Sequence, residues 1–224
     1  MSEDMKPQEA AASTTGAVFR DAFRLLCILL EGSAPVAEGS SADGFDRVFH
    51  GQKRAQALVF YVCYPDYLAD RLLDLHDAGQ PGVLQQVEMI FAEEEPSVRL
   101  VKMIRWQRGA YFDLDNSLAI LSFYELIRPV ERTLANLGSQ HDYLIGLKAS
   151  SFVQEAVEKQ PGLAWYLERA RLAMEVSGLK SGHALKAEQY KFEEYVGTKL
   201  SVVIPSIADQ VRKRFEKTNA KGQL

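Results

Sequence analysis

Residues 61–75 read YVCYPDYLADRLLDL, an apolar stretch that a single proline, Pro65, interrupts. The preceding residues, 45–64, have helical periodicity and become almost wholly apolar towards their end. Proline lacks an N–H and its ring clashes with the preceding turn, so it ends one helix and is well tolerated at the start of the next. Asp66 suits the positive N-terminus of that second helix. The stretch therefore predicts two buried helices that meet at a sharp corner.

Similar periodicity predicts further helices on both sides of this corner. Apolar residues spaced by three and four indicate helices over 17–31, 80–95 and 110–126. The Gly- and Pro-containing residues 32–44 are predicted to form a loop, and residues 97–108 a strand or an extended segment. Residues 1–16 are small and polar, and we expect them to be a disordered lead.

Residues 126–148 carry the signature of a β-hairpin. Two short alternating segments flank a turn rich in Asn, Gly, Ser and Asp, and helices are predicted directly before and after them. A helix followed by a hairpin "wing" is typical of a winged-helix domain. We therefore expect a mainly α fold with a small β-hairpin. It divides into a winged-helix-like domain over 17–159 and a C-terminal helical extension, 160–224, with a basic tail.

Composition and motif searches exclude several classes of protein. The chain has 224 residues, of which 47% are hydrophobic and 25% charged, as in ordinary globular proteins. No window of about 18 apolar residues occurs, so we expect no membrane span, and the polar N-terminus does not resemble a signal peptide. These features predict a cytoplasmic protein. Cys27 and Cys63 lie in apolar runs and are predicted to be reduced thiols.

No catalytic or cofactor-binding motif is present. The sequence contains no P-loop, dinucleotide-binding glycine motif, nucleophile elbow or zinc-protease helix. The four histidines have no Cys, Asp or Glu at metal-ligand spacing. We therefore predict a protein with no catalytic residues, no metal and no cofactor, which acts through its surfaces.

Two groups of residues are candidate binding surfaces. The first is a basic segment in which cations recur every three residues around a tryptophan, and it comprises Arg99, Lys102, Arg105, Trp106 and Arg108. Such a segment can contact phosphates or an acidic partner and stack a base, although a solvated charged edge or pairing with residues 93–95 has the same pattern. The second is an aromatic run whose spacing is typical of a core but which can also dock a partner helix: Tyr61, Tyr64 and Tyr67.

The corner and two shorter motifs resemble the middle component of prokaryotic ABC-three-component systems. That family includes the small subunit of Lamassu-type anti-phage and anti-plasmid complexes. The matching corner residues are Arg54, Gln56, Phe60, Tyr64, Pro65, Asp66, Tyr67 and Leu68. A second motif is present as Arg108, Gly109, Ala110, Tyr111 and Asp113, with Ala110 and Tyr111 in place of the family's proline and tryptophan. A third is present as Gly197, Thr198, Lys199 and Leu200, and the resemblance runs from about residue 18 to 210.

This resemblance implies a winged-helix-containing, non-catalytic accessory subunit. It would bridge the heads of an SMC-like ABC ATPase and an effector subunit, often a nuclease, and contact DNA through the complex. Two alternatives stay open. One is a free-standing winged-helix DNA-binding regulator, in which the hairpin at 126–148 and the basic residues 99–108 touch DNA. The other is an enzyme with an unfamiliar site.

Overall fold

A computed structural model of the chain describes residues 7–36, 44–92, 114–134, 138–200 and 202–221. It is mainly helical with a small antiparallel sheet, which confirms the predicted fold class. In chain order the elements are α1 (Pro7–Glu31), β1 (Ala34–Pro35), β2 (Phe45–Phe49), α2 (Gln52–Cys63), α3 (Pro65–Asp77), α4 (Val83–Ala92), α5 (Asp115–Phe123), β3 (Ile127–Leu134), β4 (Gly138–Gly146), α6 (Ala149–Lys159), a 3₁₀ turn (Pro161–Leu163), α7 (Ala164–Ser177), α8 (Gly182–Gln189), α9 (Glu193–Gly197) and α10 (Ala208–Lys221).

The predicted proline corner is confirmed. Helix α2 ends at Cys63, and Pro65 occupies the start of α3, where its missing N–H costs no helical hydrogen bond. Both arms of the corner are buried, as the apolar pattern predicted, from Leu58 to Val62 in α2 and at Leu68 and Leu72 in α3.

The helix predicted over 45–64 is wrong in its first part, because residues 45–49 form strand β2. Phe45 and Phe49 are buried and Asp46 is exposed, a pattern that a short strand satisfies as well as a helix does. Strand pairing decides between the two, because β2 lies antiparallel to β4. Gly51, whose φ is 94°, then turns the chain into α2.

The predicted hairpin is confirmed as β3 and β4, which pair from Ile127–Ile145 to Leu134–Gly138. Strand β2 joins its β4 side, and the two-residue strand β1 pairs with β2, so the sheet order is β1-β2-β4-β3. Strand β1 falls inside the predicted loop at 32–44. A strand contributed from between the first two helices thus extends the hairpin into a sheet.

One hydrophobic core contains residues from both sides of the predicted boundary between 159 and 160. Helix α1 packs against α5 and α7, and α2 packs against α7 and α8. Helix α1 begins at Pro7, so residues 7–16 of the predicted lead are helical, while residues 1–6 lie outside the described ranges. In the ranges that the structure describes, every helix is too short or too polar to cross a bilayer.

The C-terminal helix α10 is fixed to α3 by one arginine of the predicted basic tail. The Arg214 guanidinium binds the carboxylates of Asp70, Asp74 and Asp77 at 2.8, 2.8 and 2.6 Å. These acids lie on one face of α3 because they are spaced by four and three residues. The three carboxylates outweigh the effect of burial and raise the pKa of Arg214. Part of the basic tail is therefore an internal contact.

Candidate functional site

Of the two binding surfaces predicted from the sequence, the structure describes one. The basic residues Arg99, Lys102, Arg105, Trp106 and Arg108 lie outside the described residues. The tyrosines of the aromatic run are buried, with exposed fractions of 1% for Tyr61, 6% for Tyr64 and 0% for Tyr67.

The partner interface predicted at these tyrosines is therefore wrong, because their rings belong to the core. Tyr67 contacts Phe60 and Phe192 edge-on, with ring centroids 5.2 and 4.7 Å apart. Its hydroxyl donates to the carbonyl oxygen of Pro205 at 3.0 Å. The aromatic run thus packs the corner against the C-terminal helices and presents no ring to a partner.

An apolar groove lies between α1, α5, α6 and the 3₁₀ turn. Its volume is about 990 Å³. Three aromatic side chains, from α1, from the residue after α5 and from α6, line it and are about half exposed, namely Phe19 (48%), Tyr124 (51%) and Phe152 (46%). Phe23 and Leu121 lie deeper in it. A groove with exposed aromatic rings from several elements has the composition of a protein interface.

One wall of this groove is the end of the apolar stripe of α1, which is longer than the part of α1 that the core covers. Phe23 packs edge-on against Tyr166, with centroids 6.0 Å apart, whereas Phe19, one turn earlier, lies half exposed in the groove. Both residues lie on one apolar stripe of α1, because they are four residues apart. The contact with Tyr166 of α7 covers Phe23, and Phe19 lies one turn beyond it.

A strained turn holds the aromatic end of α5 at the groove. The N–H groups of Glu125 and Leu126 donate to the carbonyl oxygens of Ser122 and Leu121, which is the hydrogen-bond pattern of a Schellman motif. Glycine usually occupies the left-handed position of that motif, but here it is Glu125, with φ of 54°. The turn leaves Phe123 80% exposed, and Tyr124 borders the groove. Strain of this kind concentrates at functional sites.

A second notable feature is a buried carboxylate, Asp142, at the other end of the sheet. Its oxygens accept hydrogen bonds from Arg132 Nε at 2.6 Å, His50 Nδ1 at 2.8 Å, Gly51 N at 3.0 Å and Gln140 Nε2 at 3.2 Å. The Asp142 side chain is 2% exposed, whereas His50 and Arg132 are 55% and 44% exposed. Burial raises the pKa of this carboxyl, but the bonds from Arg132 and His50 outweigh burial and lower it overall. Asp142 is thus a buried anion that fixes two exposed side chains.

The strand geometry explains why these residues meet. Gln140 and Asp142 are two apart on β4 and so share one face of the sheet. Arg132 lies opposite Gln140 in the register, and His50 directly follows Phe49, the partner of Tyr143. Residues 50 and 142 are distant in sequence, and no local sequence motif predicts that they are in contact.

The described residues include no group of three or more His, Cys, Asp or Glu side chains arranged to hold a metal ion. Comparison of the chain with known protein families, curated proteins and solved structures finds no match. The resemblance to ABC-three-component subunits therefore rests on the sequence motifs alone.

Proposed function

We propose that the chain is a cytoplasmic, non-catalytic accessory subunit of an SMC-like ABC ATPase defence complex, and that it docks a helix of a partner subunit in the groove between α1, α5 and α6. The resemblance of the proline corner supplies the class of complex. The observation that carries the docking role is the apolar groove with its exposed rings of Phe19, Tyr124 and Phe152.

The occupant of the groove is an amphipathic helix that inserts its apolar side chains. An open apolar channel between helices is the surface that accepts such a helix, through side chains spaced by three and four residues. In the proposed complex this helix belongs to the ATPase or the effector, so that the chain bridges the two.

The composition of α5 favours this function over that of a free-standing DNA-binding regulator. Helix α5 directly precedes the hairpin, the place at which a winged-helix regulator carries its DNA-reading helix. Its sequence, DNSLAILSF, contains no Lys or Arg, starts with an acid, and ends with the exposed Phe123. A helix of this composition repels phosphates at its first turn and offers apolar area to a protein at its last.

Co-expression with the neighbouring genes tests the proposal. A tag on this chain is expected to retain a large coiled-coil ATPase, and the purified chain alone is expected to have no hydrolytic activity. Replacing Phe152 by Asp puts a charge in the groove and is expected to reduce the retained ATPase by about tenfold or more, as the loss of an aromatic anchor does.

Leu179→Asp is the matched control, because Leu179 is fully exposed and is not among the residues that line the groove. It also replaces an apolar side chain by a carboxylate, and we expect it to leave retention unchanged. Both variants should keep the melting temperature of the wild type, since both positions are exposed. The proposal fails if no coiled-coil ATPase is retained, or if the two variants lose it equally.

A further inference from the structure

The surface around Asp142 carries basic side chains from three parts of the fold. Here we call it the basic surface, and its members are His50, Lys53, Arg54, Arg132 and Lys180. We propose that the basic surface binds the phosphodiester backbone of nucleic acid. The proposal goes beyond the docking groove and concerns the isolated chain.

The first step is the orientation of His50 and Arg132. Each uses one nitrogen, Nδ1 and Nε respectively, to bind the buried Asp142 carboxylate. In the described part of the chain, His50 Nε2 and the two terminal nitrogens of Arg132 make no hydrogen bond. Because the buried acid binds Nε, it fixes the orientation of the guanidinium. The two terminal nitrogens can then donate to an oxyanion. Gln140 adds a further amide beside them, since its Nε2 also donates to Asp142.

The second step is the group of cations at the start of α2. Lys53 is exposed in the first turn of that helix. Arg54 donates to the carbonyl oxygens of Gly178 and Lys180 and to the Ser177 hydroxyl, at 3.0 to 3.4 Å, and all three acceptors are neutral. These bonds fix the guanidinium without cancelling its charge.

The third step is the close approach of α8. A Cβ on Gly182 would clash with the backbone nitrogen of Arg54, so glycine alone lets α8 start against the first turn of α2. This contact brings Lys186 near Lys53. Burial, and then the charge of Lys53, lowers the pKa of Lys186 to about 8. Burial is the larger cause of this shift, and Lys53 is the smaller one. Lys186 is buried, so its charge lies behind Lys53 and does not itself contact a ligand.

The balance of charge identifies the class of ligand. Among the residues that these contacts bring together, the acids are Asp142, which is buried, and Glu188, which pairs with Lys180 at 2.8 Å. Asp142 offsets the charge of Arg132 and Glu188 offsets that of Lys180, so the excess positive charge of the basic surface comes from Lys53 and Arg54, on a chain whose net charge is −4. The basic side chains come from the start of α2 and the residue before Gly51, from the hairpin, and from Lys180, which precedes α8. A repeating polyanion can engage cations from all three, whereas a single phosphate reaches only its immediate neighbours.

Fluorescence anisotropy with a labelled DNA duplex of about 20 base pairs tests the inference on the isolated, full-length chain. Binding should weaken steeply as salt is raised. Each lost phosphate contact should reduce the slope of log K against log salt by about 0.9. Lys53→Ala and Arg132→Ala are each expected to lower the affinity by roughly 5–10-fold at about 0.1 M salt, and the double variant by more.

Lys53→Ala keeps the test independent of folding, because Lys53 is exposed and takes no part in the Asp142 network. Lys159→Ala is the matched control, since Lys159 is an exposed lysine on α6. Unchanged duplex affinity in Lys53→Ala, or an equal loss in Lys159→Ala, overturns the inference. So does binding to vesicles of mixed zwitterionic and anionic phospholipid without binding to the duplex. Single-stranded DNA and an RNA duplex of the same length show which nucleic acid the basic surface prefers. Retention of the coiled-coil ATPase is measured separately, so this inference and the docking proposal can fail independently.

Discussion

Replacing Asp66 by Ala should detach the start of the C-terminal helix from the proline corner. One oxygen of the Asp66 carboxylate accepts the Ile207 N–H at 2.9 Å and the Ser206 hydroxyl at 2.7 Å. The other oxygen accepts the N–H of Tyr67 at 3.0 Å. Asp66 therefore binds both the first turn of α3 and the segment that leads into α10. That segment and α10 also contact the rest of the fold through Tyr67, Gln210, Arg212, Arg214 and apolar side chains.

The magnitude follows from the two hydrogen bonds that cross from α3 to residues 206 and 207. A hydrogen bond to a charged group contributes about 1.5–3 kcal/mol. Because Ser206 is exposed and Asp66 is only partly buried, the lower value applies to each bond. The bond to Tyr67 N–H adds little, since water can solvate an amide in the first turn of a helix. We expect Asp66→Ala to lower the free energy of unfolding by about 2–3 kcal/mol, and Asp66→Asn, which keeps one acceptor, by about 1 kcal/mol.

Urea unfolding at neutral pH, followed by circular dichroism, measures both variants. For a chain of this size, a loss of 2–3 kcal/mol also lowers the melting temperature by roughly 5–10 °C. A double-mutant cycle with Ser206→Ala isolates the shared bond and should give a coupling of about 1 kcal/mol. If the free energy of unfolding of Asp66→Ala is within about 0.5 kcal/mol of the wild-type value, the carboxylate does not hold the C-terminal segment and the reasoning is refuted.

Two further predictions concern packing and pH. Gly182→Ala should lower the free energy of unfolding by about 1–3 kcal/mol, because the new Cβ would press on the backbone of residues 53 and 54. Gly197→Ala is the control and should change thermal stability little, because nothing lies within 4 Å of its Cβ. Burial raises the pKa of the Tyr61, Tyr67 and Tyr143 phenols, so the stability that they contribute is complete below the pKa of an unfolded tyrosine and is lost as the pH rises above about 10. The absorbance of phenolate should therefore rise together with the loss of circular dichroism in an alkaline titration, and Tyr143→Phe should reduce the loss of stability between about pH 10 and 11. Ionisation of these tyrosines well before unfolding would contradict the burial argument.

The features that the sequence predicted well are those with local causes. Pro65 ends α2 and starts α3 because of its own ring and its missing N–H, whatever the rest of the chain does. The β3–β4 hairpin is also local, since its strands pair through a short connection. The periodicity of α1 and α3 likewise identified helices that the structure contains.

The features that were missed depend on contacts between distant parts of the chain. Strand β2 and a helix fit residues 45–49 equally well until β4, almost a hundred residues later, supplies a pairing edge. Asp142 is one of many acids in the sequence, and its significance comes from His50 and Gly51, which only that pairing brings near. The same holds for Asp66, whose carboxylate was predicted to suit a helix N-terminus but whose bonds to residues 206 and 207 require the folded chain.

The aromatic residues show why the partner surface was predicted in the wrong place. Tyr67 and Phe19 both lie on apolar stripes of helices, and nothing in their local sequence separates them. Tyr67 is fully buried because α3 is covered by the C-terminal segment, whereas Phe19 is half exposed because no described element closes the groove over that part of α1. An apolar stripe that continues past the core exposes apolar surface to water. That exposure does not stabilise the isolated chain. That excess, and not the number of aromatic residues, is the physical reason to expect a partner at the α1–α5–α6 groove.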